Sequence, residues 1–358
     1  MEKLGIIIAV IISGLLSYIL SFFSAKSTHR HKIFDNFKDR DFKEKEIPRI
    51  GGIAIVLSLF ISLLFIRLVF SSLFEEVTEN INYTLLIVAV FIIFLLGIYD
   101  DVKGANALKK ILIQIIAAVI IFSGGFKIAA ISIPVIGGKA LGFNYLSFLL
   151  TILWVVGITN AVNIIDGLDG LAVGISFFAA LSLGVLALLS SQYLIVVFIA
   201  VLLGSMIGFY PFNFPRAKIY LGDSGSLVIG FLLAALAMTT THRKISLAVA
   251  LMIPLIILFL PILETSVTII RRIYKKQNIF MADRDHLHYR FLKKGFSETK
   301  TTLVLIFISF LFSLSGILFE FVDRRLRVLL FVLICLICLF LLSYLGYINI
   351  IFKKTKKG

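Results

Sequence analysis

The sequence predicts an all-α polytopic membrane protein with about eleven transmembrane helices, and three observations carry that expectation. Mean hydropathy is +1.06 and 15% of the 358 residues are charged, whereas a soluble domain carries about 25%. Apolar runs near the length that crosses a bilayer, about 20 residues, recur along the whole chain. The polar and charged residues gather in the intervals between those runs.

Taken in order, the first run covers 4–24. It is longer than the apolar core of a secretory signal, about 7–15 residues, and no A-x-A cleavage pattern follows, so it reads as a retained helix. The second run, 50–71, contains Arg67 and follows the polar segment EIPRIGG (46–52). Runs at 82–99 and 109–123 flank IYDDVKG (98–104), those at 143–162 and 171–190 flank NAVNIIDGLDG (160–170), and those at 193–210 and 226–240 flank NFPRAKIYLGDSGS (213–226). The ninth run, 246–270, leads to DRDHLHYR (283–290), and 301–319 and 328–352 complete the set. Cys335 and Cys338 both lie in the last run and read as small packing residues, giving neither a disulfide framework nor a metal set. A single integral-membrane domain over 1–358 is expected, with residues 271–300 forming a cytoplasmic histidine loop within it.

The net charge of +15 would suit nucleic acid if it covered one soluble face, but it lies in the intervals between runs. Of the 35 Lys and Arg, 26 fall in the intervals after odd-numbered runs or in the C-terminal tail. The positive-inside rule then places the N-terminus outside and the C-terminus in the cytoplasm, in a cell membrane. Arg324, Arg325 and Arg327 count against that orientation. All five polar segments fall on the cytoplasmic side of it, so cytoplasmic loops are expected to form one active site. Basic loops beside a bilayer also attract anionic headgroups and phosphates.

Each segment offers distinct chemistry. Asp100 and Asp101 are adjacent carboxylates that suit a divalent metal, or one acting as a base while its neighbour holds charge. Read instead as an ordinary solvated helix end, they would oppose the helix dipole. Asn163, Asp166 and Asp169 recur every three residues, interrupted by glycines that let a ligand approach the backbone. Their oxygens suit Mg²⁺ or Mn²⁺, or hydrogen bonds to a sugar or base; one could equally be a helix cap. Asp223 opens a Gly/Ser turn into a helix, an arrangement that offers N–H groups to a phosphate while the carboxylate brings a metal. His286 and His288 lack the third ligand a zinc site needs, since His242 is distant. Phosphate binding by their imidazoles and by Arg284 or Arg290 fits the positive surroundings better. No Walker A loop, nucleophile elbow or zincin motif is present. Carboxylates, a divalent metal and basic residues together suit phosphoryl transfer.

In the order PRxGG, DD, NxxNxxDGxDGL, NxPxAxxxxGDxGS and HLHxR, these segments resemble the polyprenyl-phosphate N-acetylhexosaminyl 1-phosphate transferases. The resemblance runs from about residue 26 to 300. It implies a UDP-N-acetylhexosamine donor, a polyprenyl (undecaprenyl) phosphate acceptor in the bilayer, Mg²⁺, and products polyprenyl-diphosphate-sugar and UMP. It further implies that Asp100 and Asp101 assist the attacking phosphate with metal contact, that Lys110 holds a phosphate, and that Asn163, Asp166 and Asp169 lie near the nucleoside and reacting centre. Tyr220 takes the place of an aromatic beside uracil, Asp223 that of the Mg²⁺ ligand, Asn213 that of an asparagine ten residues before it, and His286 and His288 those of donor ligands. Arg40, Pro48 and Arg49 are what the first loop retains, and Tyr289 stands where many relatives carry another histidine. HLH rather than three consecutive histidines favours the N-acetylglucosamine branch over the phospho-N-acetylmuramoyl-pentapeptide transferases of peptidoglycan synthesis. Products of that branch prime teichoic acid, lipopolysaccharide O-antigen or other envelope glycans. A homodimer is compatible with the resemblance, and nucleic acid is not an expected partner.

Two readings of other classes compete. An ion-coupled secondary transporter would carry internal repeats and mid-depth carboxylates, but no repeat is visible and the carboxylates sit at span ends. A non-catalytic scaffold leaves five polar clusters on one face without a use.

Overall fold

The computed structural model describes residues 2–27, 47–75, 81–128, 144–240, 247–277 and 285–347. Arg40, His242 and Arg284 lie outside them. Among the described residues the chain is helical throughout, with no strand: α1 (Glu2–Ser27), α2 (Gly51–Val69), the single turn α3 (Ser72–Glu75), α4 (Tyr83–Lys103), α5 (Ala107–Ser123), α6 (Asn144–Ile165), α7 (Leu171–Leu189), α8 (Tyr193–Asn213), α9 (Asp223–Ala237), α10 (Leu247–Ile257), α11 (Phe259–Tyr274), the short α12 (Leu287–Lys293), α13 (Glu298–Phe321) and α14 (Arg324–Tyr344). Local chemistry sets several starts: Asn82, Asn106, Ser297 and Asp323 accept backbone N–H groups at the heads of α4, α5, α13 and α14, the usual work of a capping side chain.

Eight of these helices are long and apolar enough to cross a membrane: α1, α2, α4, α6, α7, α8, α13 and α14. With the relatives described below, they make this a multi-pass membrane protein. The remaining expected spans differ in form. Helix α5 has 17 residues and α9 has 15, so at 1.5 Å per residue α9 rises about 22 Å, less than the roughly 30 Å hydrocarbon core. The ninth expected span is divided at Leu258 into α10 and α11. Pro261 has no N–H to give the carbonyl of Ile257, so the helix loses a rung where it breaks. Within the expected histidine loop, α11 extends to Tyr274 and α12 forms after His286.

Helix α9 is the axis of the bundle. It packs against α2, α4, α6, α7 and α8, and every residue from Ser224 to Ala237 is buried. A helix apolar on all sides belongs in such a place. Between helices in lipid there is little hydrophobic drive, so close van der Waals packing through small residues does the work. A side chain at Gly52 or Gly97 would overlap the backbone of Gly225 or Ser224, and Gly204 and Gly208 of α8 sit the same way against α1. Polar ties add to this: Trp154 Nε1 donates to Ala234 O at 3.0 Å, and Ser58 Oγ to Ser205 Oγ at 2.9 Å. The outer faces of α1 and α14 present Leu15, Phe23, Leu329 and Phe340 outward, as lipid contact requires.

Candidate active site

The five polar segments meet at one end of the bundle, around the start of α9. Residues before α2 run alongside 220–221: Tyr220 N donates to Pro48 O (2.8 Å), Gly51 N to Tyr220 O (3.0 Å) and Gly52 N to Leu221 O (2.8 Å). The end of α4 reaches the same stretch through Asp101, and the end of α6 through Asn163. The segment after α6 joins the segment after α8 through Gly170, whose N–H donates to Asn213 Oδ1 at 3.0 Å. The histidine segment closes the circle, because the ring of His288 lies against Gly167 where any side chain would collide with it.

At the centre, Lys110 Nζ donates to Asp223 Oδ2 at 2.6 Å and forms an ion pair with Asp100. Asn163 Nδ2 donates to Asp223 Oδ1 and to Ser226 Oγ, each at 2.9 Å. Both carboxylate oxygens of Asp223 are therefore aimed, one by a cation and one by an amide. Asp100 accepts from Ala105 N through its other oxygen, at 2.5 Å, which holds the turn between α4 and α5. One turn deeper, Gln114 and Asn160 pair their amides across α5 and α6, with Nδ2 to Oε1 at 2.6 Å.

Asp101 does something different from its neighbour. Its Oδ1 accepts from Asp223 N (2.7 Å) and its Oδ2 from Ser224 N (2.9 Å). It therefore caps α9 from another helix, where a carboxylate also complements the dipole. The N–H groups of Gly225 and Ser226 turn back to Gly222 O. The first four N–H groups of α9, which the sequence suggested for a phosphate, are all taken. Gly222 makes the cap fit: it has φ +74°, and a side chain there would begin 2.8 Å from Asp101 Oδ2 and 3.1 Å from Arg49 O.

Several other candidates turn out to hold the frame. Asp169 Oδ2 accepts from Ala217 N at 2.9 Å, and its carbonyl accepts from Thr302 Oγ1 at 3.3 Å. Asn213 is 3% exposed, and besides Gly170 it donates to Ile219 O at 3.0 Å. Its two polar atoms bind backbone, which places it inside the wall rather than on a substrate face. Asp166, Arg49 and Tyr220 are half-buried at the same end.

In the histidine segment, Arg290 is buried and committed. Its Nη1 donates to Leu345 O and its Nη2 to Asp285 Oδ2, each at 2.7 Å, and its guanidinium lies 3.7 Å over the Tyr347 ring. Arg271 of α11 also pairs with Asp285, at 3.2 Å, and Lys293 at 3.4 Å. Burial pushes the Asp285 carboxyl up, but these cations outweigh it and hold the group below the ordinary carboxylate value. His286 Nδ1 meets Glu264 Oε1 at 2.7 Å. Sequence reasoning missed Asp285, Tyr347, Glu264 and Gln114 as contributors. A carboxylate inside an apolar run, as Glu264 is, was the available signal for one of them.

Among the described residues no three His, Cys, Asp or Glu side chains come together as a metal cage. Asp100 and Asp223 nevertheless face one spot, and the Lys110 ammonium there shows that it takes positive charge. One or two carboxylates completed by substrate phosphates is the usual Mg²⁺ set in phosphoryl transfer, and these two residues fit it. Asp101, with both oxygens on backbone N–H groups, does not join them. A cavity of about 670 Å³ lined by Phe60, Arg67, Asn82 and Tyr83 lies at the other end of α2 and α4 and shares no residue with this site.

Comparisons with known proteins agree with that chemistry. Residues 83–241 match the family described as glycosyl transferase family 4. The chain is 36% identical to a protein of Bacillus subtilis (strain 168) named "Probable undecaprenyl-phosphate N-acetylglucosaminyl 1-phosphate transferase", over 89% of this chain and 86% of that one. It is 29% identical to the undecaprenyl-phosphate alpha-N-acetylglucosaminyl 1-phosphate transferase of Thermotoga maritima, over 86% and 87%. To the phospho-N-acetylmuramoyl-pentapeptide-transferase of Lactiplantibacillus plantarum it is 31% identical, over 73% and 80%.

Proposed function

The chain belongs to the polyprenyl-phosphate N-acetylhexosaminyl 1-phosphate transferases of glycosyl transferase family 4, and on that premise we propose that it makes the first lipid-linked intermediate of an envelope glycan. The donor is UDP-N-acetylglucosamine and the acceptor undecaprenyl phosphate. An acceptor phosphate oxygen bonds to the sugar-bearing phosphorus, the bridging oxygen leaves with UMP, and undecaprenyl-diphosphate-sugar remains. The observation that carries this reading is the convergence of Asp100, Lys110, Asn163 and Asp223 in one hydrogen-bonded cluster.

The chain's own groups divide the work. Asp100 and Asp223 would hold Mg²⁺, which neutralises phosphate charge when bound. Lys110 and Asn163 aim the Asp223 oxygens, and the Lys110 ammonium supplies positive charge for a phosphate. Asp101 keeps the start of α9 where Asp223 must stand. Asp166 and Tyr220, at the same end, contact the nucleoside, and His286 and His288 bind the donor's phosphates. The protein works as a single membrane domain of eleven spans with the N-terminus outside and the site at the cytoplasmic leaflet. The bias of 26 of 35 Lys and Arg to one side supports that orientation. A soluble donor and a lipid acceptor can meet only at such a surface.

Purified protein given radiolabelled UDP-N-acetylglucosamine, undecaprenyl phosphate and Mg²⁺ should yield a lipid-linked product and UMP, and EDTA should stop it. UDP-N-acetylmuramoyl-pentapeptide in a parallel reaction separates the two branches. Absence of product with every UDP-N-acetylhexosamine would overturn the reading.

A further inference from the structure

We propose that Glu264 is the positioning residue of the histidine segment, setting the orientation and tautomer of His286 for donor binding. The inference rests on the reading of His286 as a donor ligand and names a residue outside the five polar segments.

Glu264 lies in α11 and is 1% exposed. A buried carboxylate in an apolar helix is costly and persists only where partners satisfy it. Among the described residues it has three hydrogen-bond partners, and two of them are consecutive residues of the histidine segment. Oε1 meets His286 Nδ1 at 2.7 Å, Oε2 accepts from Leu287 N at 2.8 Å, and Thr268 Oγ1 donates to Oε1 at 3.5 Å. One carboxylate thus grips both the ring of residue 286 and the backbone after it, just where α12 begins. Because a carboxylate only accepts, the shared proton sits on Nδ1, and Nε2 becomes the ring's remaining polar atom. Beside it, the His288 ring stacks on His286 at 5.7 Å, and Asp285 faces Arg271, Arg290 and Lys293. A histidine whose second nitrogen is held by a carboxylate is an oriented ligand, and at metal sites losing such a support typically costs about 10–100-fold in affinity.

The test compares Glu264→Gln, Glu264→Asp and His286→Ala in the full chain. Glu264→Gln should raise the donor KM by about 10–100-fold with a smaller change in kcat and no change in the acceptor KM. Adding His286→Ala to it should cost little more, since both remove one function. Glu264→Asp keeps the charge and should recover part of the donor affinity; it also carries the test should the glutamine variant not fold. Nitrogen-15 NMR of histidine-labelled protein in nanodiscs, with His286 assigned from its alanine variant, reads the tautomer without substrate. The Nδ1–H form should dominate in the wild type and lose its preference in Glu264→Gln. Full additivity of the two losses, or a His286 tautomer indifferent to Glu264, would overturn the proposal. Should the wild type turn over no UDP-sugar while His286 still depends on Glu264, the function fails and the positioning stands.

Discussion

At the start of α9, oppositely charged side chains meet one another directly. Asp100, Lys110 and Asp223 meet there, and Asn163 braces the group. In the histidine segment the charges are turned inward on the chain itself. Arg290 and Arg271 hold Asp285, Glu264 holds His286, and Tyr347 and Leu345 bring in the end of α14. The first region gathers its charges around Asp223, and the second uses its charges to lock a short helix in place. Residue type alone does not separate these uses. What separates them is which partners the fold brings to each side chain's polar atoms.

Three measurements would break or sharpen that contrast. The largest effect belongs to Asp223→Ala, which removes the group that both Lys110 and Asn163 address. Turnover should fall by about 10²–10³-fold, the order seen when one preorganised electrostatic contact is lost, while the chain still folds. A rate within tenfold of wild type would remove Asp223 from the centre.

Next come Asp100→Ala and Asp101→Ala, compared side by side. Losing a helix cap costs about 0.5–2 kcal/mol, so Asp101→Ala should lower thermal stability and, through α9, activity. Asp100→Ala should reduce turnover with a smaller change in stability. Equal stability losses, or an Asp101 variant that is inactive yet as stable as wild type, would erase the distinction between them.

The smallest effect is on pH. Asp285 has its folded pKa below the ordinary value. Such a group adds stability above the unfolded value, about 3.9, and that contribution is lost as pH falls through the folded value. Hydrogen exchange of residues 285–293 should therefore show the same protection from pH 8 to 5, after correction for intrinsic rates, and weaken only below about pH 4. Loosening between pH 8 and 6 would mean that another group governs the lock.

Much of this was legible in the residues. The apolar runs anticipated the helices, because hydropathy is a local property that survives any packing. The five polar segments anticipated the polar cluster at the start of α9, since an apolar chain leaves few other places for such residues. The reading faltered where partners come from far away. Asp100 and Asp101 look alike in sequence, yet α9 is capped by one of them across 122 positions. Asn213 and Arg290 matched ligand positions, but their polar atoms are bound by backbone and a carboxylate from other elements. Glu264 lay inside an expected span and was passed over.

By itself, then, the sequence determined the solvent, the helices and the set of residues from which a phosphate-transfer site could be built. Only the tertiary structure decided which of those residues meet at the centre and which hold the frame around it. Burial and hydrogen-bond satisfaction depend on contacts such as Lys110 with Asp223, 113 residues apart, and no local pattern records them.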